Sequence, residues 1–300
     1  MFDTHSPELT NLFSPFPLIF SPIPASLIRL FLNHTLHTNV TVTRIISYLK
    51  NFSSLHKIYS MSLILNLESS TEVCSVSVAK DGNILAFREN NDGMNHAKML
   101  TLFAEEVLNE LKITAGDLDA VAVSGGPGSY TGLRIGVSAA KGICYSAGIP
   151  LIAISSLESM AAHVAAHLQD YHLPEKEGLL LCPMIDARRM EVYSAIYSIK
   201  GELVQDINAE IIDHHSFQDY LQKGPVAFFG NGAGKCKRAI QHPNAIFPEE
   251  IHASSKHMVA LAEKAFQEKN FVNVAYYEPL YLKDFIATIP RKNIFGNTSA

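Results

Sequence analysis

Two segments of the chain repeat one pattern, and that repetition restricts the fold more than any other feature. "LILNLES" (63–69) is an apolar run closed by an acid, Glu68; "VCSVSVA" (73–79) then alternates apolar and small polar residues, and Gly82 follows fourteen residues after Glu68. Far downstream, "LLLCPMIDARRMEVYSAIYSIKGELV" (179–204) does the same: an apolar run closed by Asp186, a break, an alternating run, and Gly201 fifteen residues on. Runs of four to eight apolar or alternating residues bounded by turn formers read as strands. Between the two hairpins lie a helical stripe from about Asn95, the strand "DLDAVAVSG", a Gly-rich loop, a helix from about Thr131 to Ser146, the strand "GIPLIAIS" and the helix "SLESMAAHVAAHL". Strands and helices in that order, restarting at Asp186, predict an α/β protein of two similar lobes, each a mixed sheet with flanking helices. The second half continues with helices in "FQDYLQKG", "KCKRAIQH" and "SSKHMVALAEKAFQEK" and a strand in "PVAFFGNGAG".

Three hundred residues are enough for two domains. The formal net charge of −5, with no basic run, argues against a chain that binds nucleic acid by itself, because such binding rests on clustered Lys and Arg. Cys74, Cys144, Cys182 and Cys236 are widely spaced and follow neither a zinc pattern nor a disulfide framework, so a reduced, cytoplasmic protein is expected. The first sixty residues differ from the rest. They hold five of the fourteen prolines, and Pro15, Pro17, Pro22 and Pro24 interrupt their apolar part, which counts against a secretory signal or a membrane helix there. A strong strand pattern starts directly after Met61. Met61 is therefore expected to be the initiator, with 1–60 a non-native or disordered extension, 61–168 a first lobe, 169–288 a second and 289–300 a tail.

The loop "SGGPGSYTGLRIG" (124–136) joins a strand to a helix, a place where backbone amides commonly hold phosphate. Gly126, Gly128, Ser129, Thr131 and Arg134 are the candidates there. Capping by Ser129 or Thr131 and close helix–strand packing account for most of the same residues without a ligand. "GNGAGK" (230–235), with Gly230 and Gly232, has the look of half a Walker loop, but the spacing fails and Cys236 stands where a magnesium-binding hydroxyl is needed. In "HVAAH", His163 and His167 are four apart on one helical face, the spacing of a metal pair, yet no further ligand is placed to complete a site. They are expected to be exposed.

Five segments together, "ILNLESSTEVCSVSV", "GGPGSYTGLRIGVSAAKGI", "GIPLIAISSLESMA", "IDARRMEVYSAIY" and "EPLYLKDF", resemble the TsaB family, in order from Met61 to about Phe285. The resemblance implies a two-lobed actin-like ATPase fold. It also implies a role without catalytic residues, as partner of a related catalytic subunit, TsaD, in tRNA threonylcarbamoyladenosine formation, with the ATPase TsaE joining the assembly. In active members of that fold each acid-tipped hairpin turn contains glycine; here Glu68 is followed by Ser69, Ser70 and Thr71, and Asp186 by Ala187, Arg188 and Arg189. A side chain at every position restricts positive φ and close backbone approach. Glu68, Asp186, Arg188 and the two glycine loops are therefore expected to be a vestigial nucleotide or phosphate site, with no cofactor required and only weak ATP or ADP binding. The resemblance implies that the metal pair of the related catalytic subunit, two histidines four apart, would fall at Ser156 and Met160, which supply no imidazole, so no metal is expected. The resemblance places the partner surface on the first two helices, at Met99, Leu102, Phe103, Gly136, Ala139 and Ala140, for TsaD or for a second copy, with tRNA reached only through the complex and no membrane contact. Two competing readings are an active phosphotransferase or ATPase of the same fold and, less in keeping with the sequence, a metallopeptidase.

Overall fold

The computed structural model describes residues 62–91, 96–174, 178–249 and 251–283. The expectations for 1–60, for Met61 as initiator and for the tail 289–300 lie outside them.

Both acid-tipped hairpins form. β1 (Leu63–Glu68) pairs antiparallel with β2 (Cys74–Lys80), which pairs antiparallel with β3 (Asn83–Asn90). β4 (Ala120–Ser124) joins β1 in parallel and β5 (Leu151–Ile154) joins β4 in parallel. In the second sheet β6 (Leu180–Asp186), β7 (Glu191–Ser198) and β8 (Leu203–Ile211) form the antiparallel part, and β9 (Val226–Phe229) and β10 (Ala245–Ile246) the parallel part. The spatial orders are β3-β2-β1-β4-β5 and β8-β7-β6-β9-β10, the same order strand for strand. The restart at Asp186 is thus a structural repeat, and the layout is the expected one of two lobes, each a mixed sheet with flanking helices.

Central strands buried on both faces read as nearly unbroken apolar runs. In β1 and β4 one face carries Leu65, Leu67, Val121 and Val123, which pack with Leu100, Phe103, Val107, Val137 and Ala140 of α1 (His96–Leu111) and α2 (Tyr130–Ala147). The other face carries Ile64, Ala120 and Ala122, which pack with Met258, Ala262 and Ala265 of α6 (Ser255–Gln267). β2 alternates as its sequence does, but both faces are covered. Cys74, Val76 and Val78 join the α1–α2 core, while Ser75 and Ser77 meet the first turn of α6: the Ser255 N–H donates to Ser75 Oγ at 2.8 Å and Ser77 Oγ donates to the Ser255 carbonyl at 3.3 Å.

In the second sheet, α3 (Ser156–Ala166) places Leu157, Met160 and Val164 on Leu181, Ile185, Ala195 and Phe229. The expected lobe ranges 61–168 and 169–288 therefore each contain a helix, α3 and α6, that covers the sheet of the other lobe. These two helices meet along the seam between the lobes. The opposite face of the second sheet takes two single-turn helices, α4 (Gln218–Leu221) and α5 (Ala233–Cys236). Longer helices were expected for "FQDYLQKG" and "KCKRAIQH"; segments this short gain too few hydrogen bonds to offset helix nucleation, so the first keeps one turn and the second is helical only at Lys235 and Cys236, the end of a turn that begins at Ala233. All four cysteines are buried and unpaired. Among the described residues no helix is long and apolar enough to cross a membrane.

Candidate functional site

The two lobes enclose a cleft of about 630 Å³. Its walls are the turn after β1 (Ser70, Thr71, Glu72), the loop into α2 (127–131), the turn after β6 (185–188), Asn231 and residues 280–283 of the C-terminal segment.

Glu68 ends β1 but does not line the cleft. It is fully buried; its Oε1 accepts the Ser70 N–H at 2.6 Å, while Oε2 has no hydrogen-bond partner among the described residues. Burial raises its pKa, opposed by hydrogen bonds from Ser70 and Ser124. The Gly-rich loop packs directly against this turn. The Ser129 N–H donates to the Ser70 carbonyl at 2.6 Å, and Ser69 Oγ donates to the Gly132 carbonyl at 2.9 Å. A Cβ at Gly128 or Gly132 would run into the backbone of Ser70 or Ser69, and one at Gly136 into the Ser69 side chain. The glycines are there so that the loop can lie against the first hairpin turn. Ser129 also caps α2, accepting the Gly132 N–H at 3.3 Å; of the two caps the sequence offered, Ser129 and Thr131, it is the one used.

The second turn is open. Asp186 is exposed, and its Oδ1 accepts the Arg188 N–H at 2.8 Å; its own N–H donates to Asn231 Oδ1 at 3.0 Å. Lys235, the last residue of "GNGAGK", pairs with the Asp186 carboxylate and donates to the Glu191 carbonyl at 2.7 Å. Gly230, at φ 99°, and Gly232 press against the backbone of Met184, Ile185 and Asp186, so this loop too uses glycine for strand contact. Asn231 Nδ2 donates to Glu72 at 2.5 Å, a hydrogen bond that crosses from one lobe to the other. Glu68 thus lies outside the cleft, the Gly-rich loop rests on the first turn, and Lys235 is paired with Asp186 beside the second.

A third feature was not weighed in the sequence beyond "EPLYLKDF". The segment 272–283 straps the cleft. The Val272 N–H donates to Leu151 at 2.9 Å and the Leu280 N–H to Gly125 at 2.8 Å. Tyr281 packs on Tyr130 with centroids 5.0 Å apart, and the Arg134 guanidinium lies 4.2 Å from the Tyr130 ring centre. Lys283 reaches the second lobe, pairing with Glu191 and lying 5.8 Å from the Tyr193 ring centre. A tyrosine-rich run with a terminal Lys was the available signal.

A family model described as TsaD, tRNA N6-adenosine threonylcarbamoyltransferase, matches residues 92–291. The tRNA threonylcarbamoyladenosine biosynthesis protein TsaB of Buchnera aphidicola subsp. Schizaphis graminum is 38% identical over 209 residues, covering 65% of this chain and 95% of that protein. The chain belongs to the TsaB family. The TsaB of Bacillus subtilis (strain 168) is 29% identical over 227 residues, covering 73% of this chain and 93% of that protein. Among solved structures, YeaZ from Pseudomonas aeruginosa superposes with a TM-score of 0.62 at 26% identity, covering 74% of this chain and all of that one.

Two expectations, the partner surface implied by the TsaB resemblance and the exposure of the paired histidines, change in three dimensions. Of the six residues assigned to a partner surface, Phe103, Gly136 and Ala140 are buried in this chain's own core, and Met99 and Ala139 are partly buried. Only Leu102 is exposed, at 38%. The outward stripe of α2 consists instead of Thr131, Arg134, Ser138, Gly142 and Tyr145, and Tyr145 is 87% exposed. The helical period shows which residues share a face; it does not show which face meets the sheet. The histidines also differ from expectation. His167 is exposed, but the half-buried His163 stacks on buried His257 of α6 with centroids 3.7 Å apart, and its Nε2 is 2.9 Å from the Tyr171 hydroxyl. Burial pushes His163 down to about 4 and His257 to about 2. His257 lies on a helix that the sequence does mark, but far along the chain from His163, so nothing in the sequence pointed to the stack. No group of three His, Cys, Asp or Glu among the described residues is arranged to hold a metal.

Proposed function

We propose that this chain acts as a non-catalytic subunit that binds and orders a TsaD-like threonylcarbamoyltransferase through the outward faces of α1 and α2. Membership of the TsaB family makes it a protein of tRNA threonylcarbamoyladenosine biosynthesis. What supports the subunit role is the α2 stripe. Small residues (Ser138, Gly142) beside exposed Tyr145 leave a helix face that the described residues do not cover; among them, a Cβ at Gly142 would meet no atom within 4 Å. Small residues let a second helix approach closely, and an aromatic anchor at the edge supplies the contact area that a specific complex needs. In this reading the chain needs no cofactor of its own, and ATP or ADP binds it weakly at most. A TsaE-like ATPase joins the assembly, the protein works in the cytoplasm, and a self-paired form uses the same face.

Mixing the full chain with the TsaD-like subunit of the same genome tests this. The two are expected to co-elute, and Leu102→Glu together with Tyr145→Glu to abolish co-elution while leaving the melting temperature of the isolated chain within about 2 °C, as surface substitutions do. Separate elution of the wild-type proteins, or unchanged co-elution of the variant, would refute the reading. The rival, an active phosphotransferase or ATPase, predicts turnover of Mg-ATP by the isolated chain.

A further inference from the structure

The turn between β6 and β7 holds two consecutive arginines in a backbone conformation that arginine avoids. Arg188 has φ 70° and Arg189 φ 52°, in the left-handed region where the Cβ crowds the following carbonyl. Elsewhere among the described residues, a non-glycine residue at positive φ stands alone or beside a glycine. Lys112 and Lys269 follow helices α1 and α6, and Asp81 precedes Gly82 in the β2–β3 turn. Asp-Gly is what such a turn favours; Arg-Arg is not.

The turn does not use the arginine side chains to hold itself. Its bonds are the Arg188 N–H to Asp186 Oδ1 at 2.8 Å, the Ala187 N–H to the Glu191 carbonyl at 3.1 Å and the Glu191 N–H to the Arg188 carbonyl at 3.2 Å. Any residue able to take positive φ would make them, and glycine would do so without strain. Both side chains are exposed, and among the described residues neither guanidinium has a hydrogen-bonding or ionic partner. The neighbouring cations are all engaged: Lys235 with Asp186, Lys283 with Glu191, and Arg134 on the Tyr130 ring. Arg188 lines the cleft and Arg189 does not, so the pair spreads charge along the rim instead of focusing it on one buried anion. Backbone strain kept at a site where the side chains have no internal role points to use of those side chains.

We propose that Arg188 and Arg189 contact backbone phosphates of the tRNA bound to the assembled complex; this rests on the subunit role above. The guanidinium fork matches phosphate oxygens bidentately, and an extended polyanion fits two charges set along a rim. The acidic chain has too few such contacts to bind RNA alone. Its two arginines extend a surface supplied mainly by the partner.

The test uses the full chain in its complex with the TsaD-like subunit and an unmodified tRNA transcript, with affinity measured across a salt series. Arg188→Gly with Arg189→Gly is expected to lower the slope of log affinity against log salt by about one unit per arginine. The same double variant, as isolated chain, is expected to melt at or above the wild-type temperature, because glycine relieves the strain. Arg188→Lys with Arg189→Lys is expected to keep the slope without the thermal gain. An unchanged slope in the glycine variant overturns the proposal. So does a lowered melting temperature, which would mean that the arginines hold the fold, or loss of assembly with the partner, which would mean an acidic protein surface as their target. A changed ATP or ADP affinity with an unaltered tRNA slope overturns it in favour of a nucleotide. If the wild-type proteins fail to assemble, the subunit role and this proposal fall together; if they assemble and bind tRNA with a slope insensitive to the arginines, only this proposal falls.

Discussion

The backbone N–H of Ser129 donates to the carbonyl oxygen of Ser70 at 2.6 Å, joining the Gly-rich loop to the turn after β1. That one bond spends an amide of the loop on the protein itself, at the place where a phosphate-binding loop would leave its amides free. Lying the loop so close requires Gly128 and Gly132, whose missing side chains admit the carbonyls of Ser70 and Ser69.

Gly128→Ala and Gly132→Ala should therefore destabilise the fold itself. The obstacle in each case is backbone, which cannot rotate away as a side chain can, so the cost is expected at about 2–3 kcal/mol, the upper part of the range for overpacking. Gly142→Ala, with open space around it, is the matched control and should be neutral or slightly stabilising. Urea midpoints at constant slope measure both. Wild-type midpoints for the first two variants would mean that the glycines serve something other than this contact.

The His163–His257 stack sets a pH dependence. Burial lowers both pKa values, to about 4 and about 2, so below the unfolded value near 6.5 the unfolded chain binds protons that the folded chain refuses. Stability is thus fully present above about pH 6.5 and falls as the pH drops toward 4. His167, Lys256 and His252 disfavour protonation further, and Asp170 beside His163 opposes them. His257→Leu removes one of the two groups, so its loss of stability between pH 7 and 5 should be smaller than that of wild type. Equal losses would show that the fall comes from other groups.

The strap gives a third expectation. Lys283 ties segment 272–283 to the second lobe through Glu191 and the Tyr193 ring, while Leu280 holds it to the first through Gly125. Lys283→Ala should cost less than about 1 kcal/mol, as for most partly exposed ion pairs, yet raise the rate of limited proteolysis within the strap. An unchanged cleavage rate would mean that the Leu280 and Tyr281 contacts hold the strap without the ion pair.

Much of the architecture was legible because it is local. Glu68 and Asp186 could be recognised as strand ends, and the strands behind them as central ones, from runs of five to eight residues. Ser129 and Thr131 could be named as the two candidate caps of α2 from their place before a helical stripe, and the structure chose Ser129. Other features were hidden because they join residues far apart in the chain: Asn231 with Glu72, His163 with His257, Leu280 with Gly125. Phe103 was misassigned for a related reason. An amphipathic stripe announces that one face will be buried, and whether this protein's own sheet or another molecule buries it is decided by how the helix docks.

By itself the sequence determined the duplicated hairpins and the TsaB kinship, since these show in side-chain alternation, turn chemistry and short motifs within a few residues. Only the tertiary structure decided that the glycine loop rests on the first hairpin turn, that α3 and α6 exchange sheets, and that two strained arginines stand unpaired at the rim. Those outcomes follow from steric fit and desolvation between distant segments, and no local pattern of residues encodes which surfaces will meet.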